Sequence, residues 1–188
     1  MAQFKVVFTL EEEDVAYYRS LYRQVRKGAK EQDPDAILVQ AREIVQIVRA
    51  SKKTPRFVTD AIEVLADLVD LIQDADYAAP ASVRDSVLAA LGYFANPEDL
   101  IPDHVPGLGF LDDAIMIRFV EEEFKHELWG FRKFRKVRDH MEQRPWSSVA
   151  RERLRDRLQA DRKAIRADIA KREAKDEVRR RSSGRLGF

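Results

Sequence analysis

Apolar side chains follow the helical period along most of this chain. They recur every three or four positions in four successive segments, residues 10–27, 34–48, 57–72 and 83–94. This spacing places apolar residues on one side of a helix and charged residues on the other. Glycine and proline are scarce outside residues 88–114, which leaves little turn chemistry for a fold of many strands. The pattern predicts an all-α fold with a compact multi-helix domain.

Capping signals set the expected helix starts. Thr9 and Glu12 form a capping-box pattern that opens the first helix, and Gly28 is placed to end it. Asp33 before Pro34 is an N-cap followed by a favoured first-turn proline. The predicted buried positions of the second and third helices are Ile37, Leu38, Ala41, Ile44, Val45, Val48, Phe57, Val58, Ala61, Ile62, Leu65, Leu68, Val69 and Ile72.

The later part of the chain predicts two long helices. One begins near residue 111, bends or breaks near Gly130 and ends at Pro145. The other is a long charged C-terminal helix over residues 147–181, whose sparse apolar positions have the spacing of a narrow coiled-coil seam: Leu154, Leu158, Ile165 and Ile169. We therefore expect a helical domain over residues 1–145 and a charged helical extension over residues 146–188, with a disordered end.

Residues 3–8 alternate weakly between apolar and polar side chains. Since a lone strand is unstable in water, this segment is either an extended arm packed on helices or a strand paired across a dimer.

Charge is strongly segregated, although the formal net charge is only +1. Residues 58–123 carry 15 acidic and 2 basic side chains, whereas residues 144–188 carry 15 basic and 7 acidic ones. The acidic face of the third helix and the basic residues after Lys125 are candidates for mutual docking, within one chain or between two. A solvated face is the simpler interpretation of the acidic stripe.

Composition also limits the chemistry. The absence of cysteine excludes disulfides, thiolate metal sites and a cysteine nucleophile. The longest uncharged run, residues 86–97, is too short to span a bilayer, and the N-terminal residues lack the apolar core of a signal peptide. These observations predict a soluble, cytoplasmic protein without a transmembrane segment.

The most unusual stretch, residues 88–114, concentrates proline, glycine and aspartate. Asn96 and Pro97 start a helix of about one turn, which Pro102 ends. The motif NPEDLIPDHVPGLGFLDDA resembles the signature of the YkvA-like family, a bacterial and archaeal domain of unknown function, and the resemblance covers about residues 82–119. It implies a small helical domain and brings no known activity. Some relatives look membrane-associated, but this chain lacks their apolar span.

Four aspartates of this stretch are candidate metal ligands: Asp99, Asp103, Asp112 and Asp113. Oxygen-rich clusters suit Mg²⁺, Mn²⁺ or Ca²⁺, and an ion held there can activate water for hydrolysis. Added ligands are available from His104, Glu122 and His126. The alternative is that the aspartates cap helices and pair with Arg118, which is the interpretation we favour.

The basic, aromatic segment 131–138 has two interpretations. It can bind phosphate backbones, or it can be an amphipathic helix with aromatic rings inward and cationic groups outward. No sequence motif of a hydrolase elbow, zinc protease or P-loop is present.

The sequence as a whole favours a non-enzymatic interaction or regulatory module that acts by self-association or by docking a protein partner through the extension. The alternatives are a metal-dependent hydrolase centred on the aspartates and a protein that binds nucleic acid or an anionic membrane surface through its basic C-terminal helices.

Overall fold

The computed structural model describes residues 9–28, 32–51, 54–95, 111–142 and 148–183. Its elements in chain order are α1 (Glu12–Gly28), α2 (Pro34–Ala50), α3 (Arg56–Gln73), α4 (Ala81–Leu91), a 3-10 helix (Gly92–Ala95), α5 (Leu111–Glu142) and α6 (Ser148–Ser183). The described ranges contain no strand, so the predicted all-α fold with a long charged C-terminal helix is confirmed. The predictions for residues 3–8, for the one-turn helix after Asn96 and for residues 184–188 lie outside the described residues.

Contacts divide the chain into two compact units. The first contains residues 1–62 and 88–119, and the second contains residues 63–87 and 120–188. The division passes through α3, α4 and α5, and it groups α6 with residues 63–87 and with the part of α5 from residue 120 onward. The predicted domain boundary at residue 145 stays a prediction, because a compact unit is not by itself an independently folding domain.

In the first unit, α1 and α2 both contact the 3-10 helix. The predicted face of α2 is buried at Ile37, Ala41, Val45 and Val48, each at most 5% exposed. Tyr18 of α1 stacks on Phe119 of α5, with ring centroids 6.3 Å apart. These contacts place the first turns of α5 beside α1.

In the second unit, aromatic side chains connect the residues after α3 to α5. Tyr77 is fully buried and meets the rings of Phe131 and Phe134 at 5.2 and 5.5 Å between centroids. Asp74 closes the turn before Tyr77, since its Oδ1 accepts from the backbone N–H groups of Asp76 at 3.0 Å and Tyr77 at 2.9 Å. The turn therefore fixes the aromatic ring in the core.

Two predicted helix starts have different outcomes. Asp33 caps α2 as expected and accepts from the backbone N–H of Asp35 at 3.2 Å. The capping box predicted at Thr9 and Glu12 is wrong, because α1 begins at Glu12 itself. The acid that reaches back is Asp14, which accepts from the Glu11 N–H at 2.9 Å. Three consecutive glutamates before Asp14 made the position of the cap ambiguous from sequence.

Three further expectations need correction. The bend of α5 lies at Phe124 (φ −100°, ψ 16°) and not near Gly130, where the glycine serves a close helix approach. Phe57, predicted to be buried, is 39% exposed in the first turn of α3. The last helix, predicted to end at residue 181, continues to Ser183.

Within the described ranges, no helix combines the length and the apolar composition that crossing a membrane requires.

Candidate functional site

The four aspartates divide between described and undescribed parts of the chain. Asp99 and Asp103, with the possible ligand His104, lie outside the described residues. Asp112 and Asp113 occupy the first turn of α5 and are buried, with 2% and 7% of their surface exposed. Both make interactions with other groups of the chain. Their predicted position in the first turn of the long helix, where negative charge is favoured, is confirmed, and the capping role stays a prediction.

Asp112 lies close enough to Tyr18 to affect the pKa of its hydroxyl group. Burial raises the pKa of Tyr18 above its ordinary value of 10.0, and the charge of Asp112 is the next largest cause. Arg118, the expected partner of the aspartates, is exposed on α5. Its predicted pairing with them stays a prediction.

The two further predicted ligands on α5 have cationic or acidic partners of their own. Glu122 accepts from Lys125 at 2.7 Å, and His126 lies 3.0 Å from a carboxylate oxygen of Asp176 on α6. The described ranges hold no group of three or more side chains able to ligate a metal. A divalent ion held by Asp99, Asp103, Asp112 and Asp113 therefore stays a prediction.

The acidic face of α3 docks on the basic half of α5, inside the second unit. Asp67 accepts from Arg132 Nε at 2.6 Å and lies 3.0 Å from Arg135, and Asp74 accepts from Arg138 at 2.7 Å. Mutual docking is therefore correct for Asp67 and Asp74 and occurs within one chain, whereas Asp60, Glu63 and Asp70 are exposed, as the interpretation of a solvated face predicts. Because Phe131 and Phe134 are buried, the segment 131–138 has its aromatic rings inward and its arginines engaged.

A buried carboxylate joins α5 to α6. Glu127 is 7% exposed and accepts from Arg166 Nη1 at 2.7 and 2.6 Å and from the Tyr77 hydroxyl at 3.1 Å. The Arg166 guanidinium also lies 4.5 Å from the centroid of the Tyr77 ring. Burial, followed by the charge of Glu127, raises the pKa of Tyr77 well above its ordinary value. These groups fix the register of α6 on α5.

The apolar seam of α6 is buried. Leu158, Ile165 and Ile169 are 7%, 2% and 3% exposed. At Gly130 of α5 a Cβ atom would lie 2.5 Å from Ile169 Cδ1 and 3.1 Å from Ile165 Cγ2. The glycine thus permits α6 to approach α5 more closely than any side chain would.

Polar contacts accompany this seam. Asp168 accepts from Lys133 at 3.1 Å, and Asp176 lies 2.8 Å from Lys125 as well as 3.0 Å from His126. The guanidinium of Arg172 lies 3.8 Å from the centroid of the Trp129 ring. Asp168 and Asp176 of α6 are therefore paired with cationic side chains of α5.

What remains on the outside of α6 is a basic surface. Among the described side chains of this helix, ten basic ones are exposed but only three acidic ones, Asp156, Glu173 and Glu177. The exposed basic residues are Arg153, Arg155, Arg157, Lys163, Lys171, Arg172, Lys175, Arg179, Arg180 and Arg181. Three further acids of the helix, Asp161, Asp168 and Asp176, are only partly exposed.

A subset of these cations forms what we call the outer face of α6. At 3.6 residues per turn, Arg153, Lys163, Lys171 and Arg181 lie opposite the buried seam, and Arg157 and Lys175 lie beside them on one flank. The alanines between them, at positions 160, 164, 167, 170 and 174, carry the sequence signal that marks this side of the helix. The sequence offered the basic C-terminal helices as a candidate binding surface, and the structure shows which side of α6 leaves its cations exposed.

Comparisons with known proteins match part of this chain. A family model described as a protein of unknown function, DUF1232, matches residues 86–119. The "Uncharacterized membrane protein YkvA" of Bacillus subtilis (strain 168) is 34% identical over 87 residues, which are 45% of this chain and 76% of that protein. No solved structure matches this chain significantly. On the identity and coverage of that relative, the chain belongs to the YkvA-like family, whose function is unknown.

Proposed function

We propose that this protein is a non-enzymatic interaction module that docks a negatively charged partner through the outer face of α6. The observation that carries the proposal is the ratio of ten exposed basic to three exposed acidic side chains on that helix. Such a surface attracts anions and increases their rate of association.

The contacts inside the second unit explain why the basic charge faces outward. Lys125 and Lys133 of α5 pair with Asp176 and Asp168, two of the acids of α6. Lys163, Lys171 and Lys175 of the outer face make no ion pair with any residue that the structure describes. Their charges are available to a partner.

The structure favours α6 over the basic segment of α5 as the docking element. Arg132, Arg135 and Arg138 already pair with the acidic face of α3, so an external anion would have to displace Asp67 or Asp74. Self-association through the apolar seam has less support, since Ile165 and Ile169 are buried within their own chain. The charged outer face supports docking instead.

The Bacillus subtilis relative is named a membrane protein, and an anionic membrane surface is one partner of the required charge. The metal-dependent hydrolase remains the alternative, because Asp112 and Asp113 are adjacent and buried within the segment that the family model matches.

Binding to immobilised heparin, a polyanion, tests the proposal. We compare the wild type with an outer-face variant, Lys163→Glu, Lys171→Glu and Lys175→Glu, which changes three exposed helical positions. The matched control carries the same charge change on α1, as Arg19→Glu, Arg23→Glu and Lys27→Glu, all at exposed positions.

We expect the outer-face variant to elute at much lower salt than the control, with both variants retaining the helical circular dichroism of the wild type. Equal elution of the two variants would show that net charge alone decides binding and would contradict the proposal.

A further inference from the structure

The cations of the outer face form a band that covers about a third of the helix circumference. From Arg153 to Arg181 the band extends over roughly 42 Å at 1.5 Å per residue. Its exposed acid is Asp156, a second exposed acid, Glu177, lies beside it and pairs with Arg181, and the positions between the cations are mostly alanine. Small side chains allow the helix axis to lie close to a flat surface while the longer lysine and arginine side chains reach sideways along it.

From this geometry we infer that the anionic partner is a lipid membrane surface, along which α6 lies lengthwise. The inference rests on the proposed function of the outer face and specifies its partner.

Two features of the second unit disfavour nucleic acid. First, α6 is covered on one side by α5, through Gly130, Glu127 and Trp129. Two packed helices, each about 10 Å across, exceed the roughly 12 Å width of the DNA major groove. Second, residues 148–183 contain no aromatic side chain, so the helix offers nothing for bases to stack on. A plane of phosphate headgroups needs neither groove entry nor stacking.

The physics of adsorption fits this composition. Basic residues near an anionic bilayer contribute through its negative surface potential, which decays within a Debye length. The outer face presents alanines and the 67% exposed Val178, but no large apolar side chain for deep insertion. Binding is therefore electrostatic, reversible and sensitive to salt.

Co-sedimentation with vesicles tests the inference. Wild-type protein is mixed with vesicles of phosphatidylglycerol and phosphatidylcholine, and separately with vesicles of phosphatidylcholine alone. We expect binding to the mixed vesicles only, with a loss between 0.1 and 0.5 M salt. Each cation contributes about fivefold, so Lys163→Gln, Lys171→Gln and Lys175→Gln together weaken binding about a hundredfold.

We expect the control variant to retain most of the binding; it carries Arg19→Gln, Arg23→Gln and Lys27→Gln. The melting temperatures of the control variant and the α6 variant show whether each is folded. A short duplex DNA is assayed in parallel. Binding to duplex DNA or heparin without binding to anionic vesicles would overturn the membrane inference but leave the proposed function standing. Equal effects of the α1 and α6 variants on every polyanion would instead overturn the proposed function.

Discussion

Two carboxylates in the second unit, those of Asp74 and Glu127, each accept hydrogen bonds from more than one neighbouring residue. Asp74 accepts two backbone N–H groups with one oxygen and Arg138 with the other. Glu127 is shared between Arg166 of α6 and Tyr77 of the turn after α3. Such shared carboxylates specify helix register, because any shift of one helix leaves a charge buried without its partner.

The close approach at Gly130 is testable by a double-mutant cycle. We expect Gly130→Ala to force the Ile169 side chain from its position, which offsets the gain in helix propensity of about 1 kcal/mol. Ile169→Val removes the Cδ1 atom that lies 2.5 Å from the added Cβ. In the wild type this change lowers the free energy of unfolding by about 0.5–1.5 kcal/mol. In the Gly130→Ala background it should cost less or become stabilising. Additive effects in urea unfolding would show that the two positions do not meet.

The two buried aspartates decide between structural and metal-binding roles. If Asp112 serves only to favour the helix start and pair with its neighbours, Asp112→Asn lowers the free energy of unfolding by about 0.5–2 kcal/mol. Mg²⁺, Mn²⁺ and Ca²⁺ then leave the melting temperature of the wild type within a degree or two of its value in chelator, which is the result we expect.

A bound ion would behave differently. It would stabilise the native state by roughly 2.7 kcal/mol at a hundredfold excess over its Kd. A large ion-dependent rise in melting temperature that disappears in Asp112→Asn would establish the metal site and favour the hydrolase.

At the scale of whole elements, α6 consists of two differently attached parts. Its first part, through Ile169, is held by the apolar seam and by Arg166 on Glu127. Beyond Ile169 none of the described side chains of α6 is fully buried, and the contacts with α5 are polar, chiefly Asp176 with Lys125 and His126. The attachment of the segment after Ile169 to α5 therefore depends on charge.

The attachment of the segment after Ile169 to α5 should depend on pH. Hydrogen bonds from Lys125 and His126 hold the pKa of Asp176 below its usual 3.8, and the bond to Asp176, with that to Glu122, raises the pKa of Lys125 above 10.5. The depressed pKa of Asp176 means that its stabilising contribution is present above pH 3.8 and is lost as the pH falls through the folded-state value. The raised pKa of Lys125 means that its contribution is lost only in strong alkali.

Trp129 reports on this attachment because Arg172 covers its ring. In a Trp146→Phe background, which leaves one tryptophan, we expect Trp129 fluorescence to change as the pH falls below about 4. Asp176→Asn should give the detached signal already at neutral pH and remove the acid step. An unchanged acid step in Asp176→Asn would assign the transition to other carboxylates.

For the whole molecule, sequence reasoning predicted well what periodicity and charge alone determine. The helical period gave the buried face of α2, because that face depends on residue types at regular spacing. The opposite charges of α3 and α5 offered their docking only as the second of two interpretations. The bend at Phe124 and the role of Gly130 were not predictable, since they depend on which helix packs where. The sequence pointed to the basic C-terminal helices but not to one side of α6, because the formal charge of a helix does not show which acids its neighbours neutralise.

The most direct test of our account is to map which lysines a polyanion covers. The intact protein is acetylated at its lysine amines, either free or bound to heparin. It is then digested, and mass spectrometry compares the extent of acetylation at each lysine between the two states. We predict slower acetylation of Lys163, Lys171 and Lys175 in the bound state, with Lys27 unchanged. Equal protection of Lys27 and the α6 lysines, or protection elsewhere with these three unchanged, would contradict docking through the outer face of α6.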